Sequence, residues 1–313
     1  MSLESDFNKA TKELDKRIEK VRSYEAEILK KGRSIQNKVY TELLDKILSE
    51  LDKDENGIIK NTLKNRTITN RLNKILSKDK LEDLTTYYIN SIDNISASNN
   101  KQFSVYYKTK TDIDKAIQKR VYGGLGIAKN KIVEGSFLDS SISLEPLRRD
   151  LNIEFFKALN GNQSVIDLKK NVREIVKGSE GKNGVLENHL DTYATDSLNS
   201  VDSAISEMYS EDLGMDAFRY FGGLKNNTRD FCKHRNGKII TKKEASKWGT
   251  KDDDLGGYTN KYLGQFQGKN KGYNPLVDRG GYNCRHKLNY ISNDLAVLLR
   301  DDLEIDENGK LNK

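Results

Sequence analysis

The chain has 313 residues, of which 35% are hydrophobic, 32% charged and 8% aromatic, and this length and charge density predict a soluble protein of about two domains. Its longest aliphatic run, Leu295 to Leu299, is far short of the roughly 20 apolar residues of a membrane-spanning helix, and Glu4 and Asp6 stand where a secretory signal carries Lys or Arg. Two cysteines, Cys232 and Cys284, exclude a disulfide framework, so stability has to come from packed cores in a reducing compartment.

Charge is unevenly spread. Residues 1–216 hold 35 basic and 35 acidic side chains, residues 217–292 hold 16 and 6, and residues 293–313 hold 3 and 6. The positive field is thus one block, which also carries both cysteines, the only Trp and 11 of the 23 glycines.

With only Pro146 and Pro275 as breakers, the bulk is predicted to be helical. The first helix shows Phe7, Leu14, Val21 and Ile28 at heptad spacing, with Leu3, Ala10 and Tyr24 on the companion row and Arg17 interrupting it. Gly32 is expected to stop it and Ser34 to cap a second helix running through Ile35, Val39, Leu43, Ile47 and Leu51. Helices over about 60–77 and 79–96, then a polar loop from Ser96 to Lys101, are expected next. Residues 104–134 read two ways, as a strand at Val105-Tyr106-Tyr107 or as a helix through Ile113, Ile117 and Val121, broken at Gly123-Gly124. Two helices between 143 and 178 flank Asn160-Gly161-Asn162. A further one spans about 185–210, with Leu186, Leu190, Tyr193, Val201, Ala204 and Met208 on its apolar face and Asp191, Asp196, Asp202 and Glu207 largely opposite. After Gly214 the period changes, and Ala217–Phe221 suits a strand. The expected architecture is mainly α: a helical N-terminal region (1–140), a helical connector ending in a long helix (141–216), a small basic α+β module with short strands (217–292) and an acidic tail (293–313) with one short helix.

The candidate chemistry lies in the basic block. Cys232-Lys233-His234 and Cys284-Arg285-His286 use four of the five Cys and His residues, and two such pairs joined by a loop are a usual source of four zinc ligands, here Cys232, His234, Cys284 and His286. The one-residue gap is tighter than common zinc spacings and is expected to point the paired side chains apart in extended backbone. Three readings stand: a structural metal, two reduced buried cysteines beside hydrogen-bonded histidines, or a Cys232–Cys284 disulfide. Arg229, Lys233, Arg235, Lys238, Lys242, Lys243, Arg279, Arg285 and Lys287, with Tyr220, Tyr258, Tyr262, Tyr273, Tyr282 and Tyr290, suit sequence-independent contact with DNA phosphates and bases.

Other motifs are weaker. Asp52 to Leu63 opens like a calcium loop but has Lys60 at position 9 and Leu63 at position 12, where the bidentate Glu belongs, so a turn at Asn56-Gly57 is expected. Gly123 to Lys129 lacks the Gly-Lys-Ser/Thr ending of a phosphate loop and reads as a helix hinge, Asp252-Asp253-Asp254 as a solvated loop, and His189 as a partly buried packing residue.

Thr228-Arg229-Asp230-Phe231-Cys232, Asn236-Gly237-Lys238, Asn274-Pro275-Leu276 and Gly280-Gly281-Tyr282-Asn283-Cys284-Arg285-His286 together resemble the C-terminal signature of phage minor head proteins of the Mu F type, or head morphogenesis proteins. The resemblance spans about a fifth of the chain. It implies a non-enzymatic virion component at the capsid interior or portal vertex, made in the host cytoplasm and present in multiple copies. Its partners would be the portal, other capsid proteins and double-stranded DNA, with no membrane, and its work would be capsid assembly and DNA packaging or delivery. Family members carry a four-ligand zinc pattern, from which this chain departs: Arg229 stands for the first cysteine, Gly281 for the histidine and His286 for the last cysteine, which leaves His234 to supply the missing ligand. The alternative is a metal-dependent nuclease of the His-Cys or HNH kind, since Asn283, Cys284 and His286 resemble the end of that motif. It would need His234 as its base.

Overall fold

The computed structural model describes residues 3–106, 111–248, 250, 252–255, 274–281 and 284–312, with the backbone alone at 111–114. The fold is mainly α, a long N-terminal helix leading eventually to a small C-terminal module with short antiparallel strands. In chain order the helices are α1 (Leu3–Leu43), α2 (Leu63–Arg66), α3 (Ile68–Ile75), α4 (Glu82–Phe103), α5 (Thr111–Leu125), α6 (Phe137–Ser141), α7 (Glu145–Asn160), α8 (Val165–Lys177), α9 (Val185–His189), α10 (Thr195–Asp212), α11 (Asp230–Arg235) and α12 (Lys242–Ala245). Short helices Pro275–Asp278 and Asn293–Leu299 follow. Pairs β1 (Ile127–Ala128) with β2 (Lys131–Ile132), β3 (Gly178–Ser179) with β4 (Lys182–Asn183), and β8 (Glu304–Ile305) with β9 (Leu311–Asn312) form two-residue ribbons. The one larger sheet among the described residues has the order β6-β5-β7, all antiparallel, from β5 (Ala217–Phe221), β6 (Ile239–Thr241) and β7 (Lys287–Ile291). No helix among the described residues is long and apolar enough to cross a membrane.

The chain divides into two compact units that cut across its linear order. One comprises Met1–Arg22, Ser91–Gly124 and Asp196–Lys313, the other Ser23–Asn90 and Leu125–Thr195. The compositional boundary at residue 216 therefore falls inside the first unit, where the basic block is built together with N-terminal helical segments.

In the second unit, Gly32 does not stop the first helix. It lies inside α1 because its missing side chain makes room for a neighbour: a Cβ at Gly32 would stand 2.5 Å from Leu190 Cδ1. Gly32→Ala thus gains about 1 kcal/mol of helix propensity against an overpacking cost of about 1–3 kcal/mol. A fall in melting temperature is expected in a thermal scan; a rise would show that Leu190 yields freely. Helices α7 and α8 pair through Asn160-Gly161-Asn162, where Asn162 takes φ 52°, a conformation Asn tolerates better than most residues. Ser164 caps α8 by accepting from the Asp167 amide. The apolar rows Leu147, Leu151, Phe155 and Leu168, Val172, Val176 are buried. The calcium-like segment is a turn: Asp54 Oδ1 accepts from the amides of Asn56 (2.9 Å) and Ile58 (2.8 Å), and Gly57 takes φ 78°. His189 is partly buried against Tyr193, with Nε2 3.2 Å from the Ser140 carbonyl.

In the first unit, Phe7 packs on a core of Ala217, Ile291, Leu295, Ala296, Leu303 and Leu311, and Leu14 and Val21 are buried, as is Ile28 in the second unit. The apolar seam is therefore covered within the chain, though not by a separate 33–51 helix, since α1 runs on to Leu43 and is followed directly by a π-helical turn over Leu44–Leu48. Three polar features lie inside this unit. Arg17, which interrupts the companion row, and Asp202, opposite the apolar face of its helix, are both buried, and Ser96–Lys101 is not a loop, as expected, but part of α4. The cause is one buried cluster: Arg17 Nε lies 3.1 Å from Asp202 Oδ1, Asn99 Nδ2 donates to the same oxygen at 2.9 Å, and Asn99 Oδ1 accepts from both Arg17 and Ser206. Each polar group supplies its neighbours' partners, so α1, α4 and α10 can bring them inside. The Gly123-Gly124 break is also absent, for α5 continues to Leu125 and the turn comes at Gly126, φ 76°.

Candidate metal centre

The three strands of the larger sheet supply the scaffold. Tyr220 on β5 shares a face with Phe218, two residues away, as strand geometry requires. Both are buried, and their rings meet Trp248 edge-on at 5.7 and 5.9 Å. Phe231 completes the ring cluster, 5.4 Å from Trp248. Leu288 is buried too, while Phe221, Leu276 and Val277 lie half-buried at the margin. Against this small core sits the junction of the two cysteines.

Cys232 on α11 and Cys284, just before β7, approach to 3.9 Å between sulfurs, and both are free thiols. The disulfide reading is thereby set aside. Tyr220 Oη lies 3.4 Å from Cys232 Sγ and 3.6 Å from Cys284 Sγ, within hydrogen-bond reach of both. His286 stacks on the Tyr220 ring at 5.1 Å, and its Nε2 is buried with no hydrogen-bond partner among the described residues. Two glycines leave the space. A Cβ at Gly280 would fall 2.8 Å from Cys232 Sγ and 3.2 Å from Cys284 Sγ, and one at Gly222 would fall 2.5 Å from His286 Cδ2.

The donor atoms of Cys232, Cys284 and His286 lie within 4.8 Å of one another. Sulfurs bound at about 2.3 Å to a tetrahedral zinc stand roughly 3.8 Å apart, close to the observed 3.9 Å. Thiolates and an imidazole are also the soft and borderline donors that zinc takes. The cluster can hold a metal.

The fourth expected ligand is not brought in. His234 is exposed, with Nδ1 3.3 Å from the Leu255 carbonyl. The reason is local geometry: Cys232 and His234 sit two residues apart on a helix, about 200° around its axis. Cys284 and His286 lie in an irregular stretch leading into β7, and their donor atoms come together there; this corrects the expectation for extended backbone, in which residues two apart in fact share a side. The spacing expected to separate each pair separates only the helical one.

Electrostatics bind the two thiols into one system. Hydrogen bonding from Cys232, aided by His286, holds Cys284 well below the ordinary thiol range against the effect of burial. The same bond and burial push Cys232 above it. Burial raises Tyr220 well above the usual phenol value, so it stays protonated and available as a donor.

The expected DNA contacts divide by burial. Lys233, Lys238 and Lys243 are exposed, and Arg229, Lys242 and Arg285 are half-buried. Arg235, Arg279 and Lys287 are buried and correct the expectation, because their charges are spent inside the protein. Arg235 pairs with Asp253, which also makes Asp253 part of the interior rather than a solvated loop, Arg279 bonds Ser203, and Lys287 pairs with Asp202 at 2.6 Å. Tyr220 and Tyr290 are likewise buried and offer no face to a base, while Tyr258, Tyr262, Tyr273, Tyr282 and Asn283 lie outside the described residues. Tyr220, Gly222 and Gly280 went unrecognised as parts of the site; the alternation in Phe218-Arg219-Tyr220 was the available signal for the first.

No protein-family model, curated protein or solved structure matches this chain.

Proposed function

We propose that this chain is a structural protein of a phage head, of the Mu F minor head type, acting in capsid assembly and in DNA packaging or delivery rather than as an enzyme. The observation that carries the reading is where the residues of the resemblance lie. Arg229 donates to the Gly280 carbonyl at 3.3 Å, Gly280 abuts both sulfurs, and Cys284 and His286 close the same junction. The segments that carry the resemblance, about 50 residues apart in the chain, thus meet at one packing junction, which supports reading them as parts of a single module. A nuclease would instead need its histidine and metal ligands facing an open cleft, whereas His286 is buried and His234 points elsewhere.

In this reading the junction takes one structural zinc on Cys232, Cys284 and His286, with its fourth ligand from outside these three. The long helices make the contacts to portal and capsid proteins, and the exposed lysines lie along packaged DNA. Every cation withdrawn from a phosphate lowers the salt slope of duplex binding by about 0.9. The Lys233→Gln/Lys238→Gln/Lys243→Gln chain should therefore bind unrelated duplexes more weakly and with a slope smaller by about 2–3, measured by titration at low and moderate salt. Unchanged binding would remove DNA from the account.

The function itself is tested in particles. Mass spectrometry of gradient-purified heads should find the chain in several copies beside the portal protein, and a deletion should cut the yield of filled heads. Its absence from purified heads would overturn the proposal.

A further inference from the structure

Three side chains in the first unit are arranged for a reaction that neither the metal centre nor the head reading uses. Lys287 lies in β7, and Asn199 and Asp202 are three residues apart on α10, hence neighbours on one helix face. Lys287 Nζ is 3.1 Å from Asn199 Oδ1 and 2.6 Å from Asp202 Oδ2. Their exposures are 2%, 3% and 0%, so bulk water does not reach the group. The amide carbon Cγ is one C=O bond of about 1.23 Å beyond Oδ1, which places it at most about 4.3 Å from the amine nitrogen.

A primary amine held against a carboxamide, beside a carboxylate and away from water, has the parts for amide exchange. Proximity replaces the bimolecular encounter, exclusion of water suppresses hydrolysis, and the carboxylate can carry protons between the two nitrogens. We propose that Lys287 and Asn199 join through an intramolecular isopeptide bond, with Asp202 as the proton carrier.

The step balances without a co-reactant. Asp202 takes a proton from the Nζ ammonium, and the freed electron pair attacks Asn199 Cγ to form the new C–N bond. The tetrahedral centre then collapses, breaking the bond between Cγ and Nδ2. Two protons pass in all from Nζ to Nδ2, which leaves as ammonium, and Asp202 ends as it began. Nothing is oxidised or reduced. Asp202 is held for this by its other oxygen, which faces Arg17 Nε at 3.1 Å and accepts from Asn99 Nδ2 at 2.9 Å. The product would join α10 covalently to β7, the strand that directly follows His286.

Intact-mass spectrometry of the purified full chain, before and after prolonged incubation of the folded protein, reads the bond directly. The linked chain is expected to be about 17 Da lighter than its encoded mass, the loss of one ammonia. A tryptic digest should yield the Asn199 peptide joined to the Lys287 peptide, uncut at Lys287. Lys287→Arg keeps the charge but offers no amine of this kind, and it should keep its full encoded mass. Two results overturn the proposal: the encoded mass persisting in folded wild-type protein, or an ammonia loss with no joined peptide, which would mark cyclisation at an asparagine instead.

Discussion

Replacing Asp202 by Asn is expected to cost the first unit about 3–5 kcal/mol, the range for breaking a buried ion pair by removing one partner. The carboxylate is fully buried, and so is the Arg17 guanidinium facing it. Without Asp202 that cation keeps its desolvation penalty and loses its counterion. Asn keeps one oxygen able to accept from Asn99, but it turns an amide donor toward a cation where the second carboxylate oxygen now faces Lys287. Burial alone would raise the Asp202 carboxyl, but the adjacent Arg17, together with Lys287 while its amine is unlinked, outweighs it and holds the group well below the usual carboxylate range. A folded-state value below the unfolded one means that the contribution is fully present above about pH 4, the ordinary Asp value, and is lost as pH falls through and below it. The wild type should therefore lose stability on acidification more steeply than Asp202→Asn, with both followed by chemical denaturation at several pH values. Parallel pH profiles, or a loss under about 1 kcal/mol, would place the stabilising charge elsewhere.

Trp248→Ala is the second large effect. Trp248 is 3% exposed and meets Phe218, Tyr220 and Phe231 edge-on, while the Arg235 guanidinium lies 3.7 Å from the Phe231 centroid and 5.2 Å from that of Trp248. Truncating an aromatic of this size in a core costs about 3–5 kcal/mol, and three ring contacts at about 0.5–1.5 kcal/mol each argue for the upper part of that range. The loss should show at the junction first, because Tyr220, which bonds both sulfurs, rests on the same indole. Cys232 and Cys284, shielded in the wild type, should become reactive toward a thiol reagent under native conditions. Thiols that stay protected in the variant would mean that the aromatic cluster and the cysteine junction stand independently.

Residue types revealed what local periodicity could carry. Leu14, Val21 and Ile28 are buried as their heptad spacing implies, α7 and α8 flank Asn160-Gly161-Asn162, and β5 occupies Ala217–Phe221. The misreadings share a cause: each rested on what a residue does alone. Glycine ends helices in isolation, but Gly32 is held inside α1 by the packing of Leu190. Asn99 and Asp202 look solvent-facing until Arg17, far away in sequence, makes them partners. The site was legible in part. The pairing of Cys232 with Cys284 follows from two Cys-x-His tripeptides joined by one loop, and it is present. The fate of each histidine depended on whether its tripeptide was helical or irregular, which the tripeptides themselves do not specify.

At the centre of the account is the cysteine junction, read as the closure of the C-terminal module and the seat of one zinc ion. Elemental analysis of the purified full chain beside Cys284→Ser, His286→Ala and His234→Ala, with the melting temperature of each, tests it most directly. The account predicts one zinc per chain in the wild type and in His234→Ala, and loss of both zinc and thermal stability in the other two, since a metal that binds only the folded chain stabilises it. Unaltered metal content and melting in Cys284→Ser and His286→Ala would contradict it.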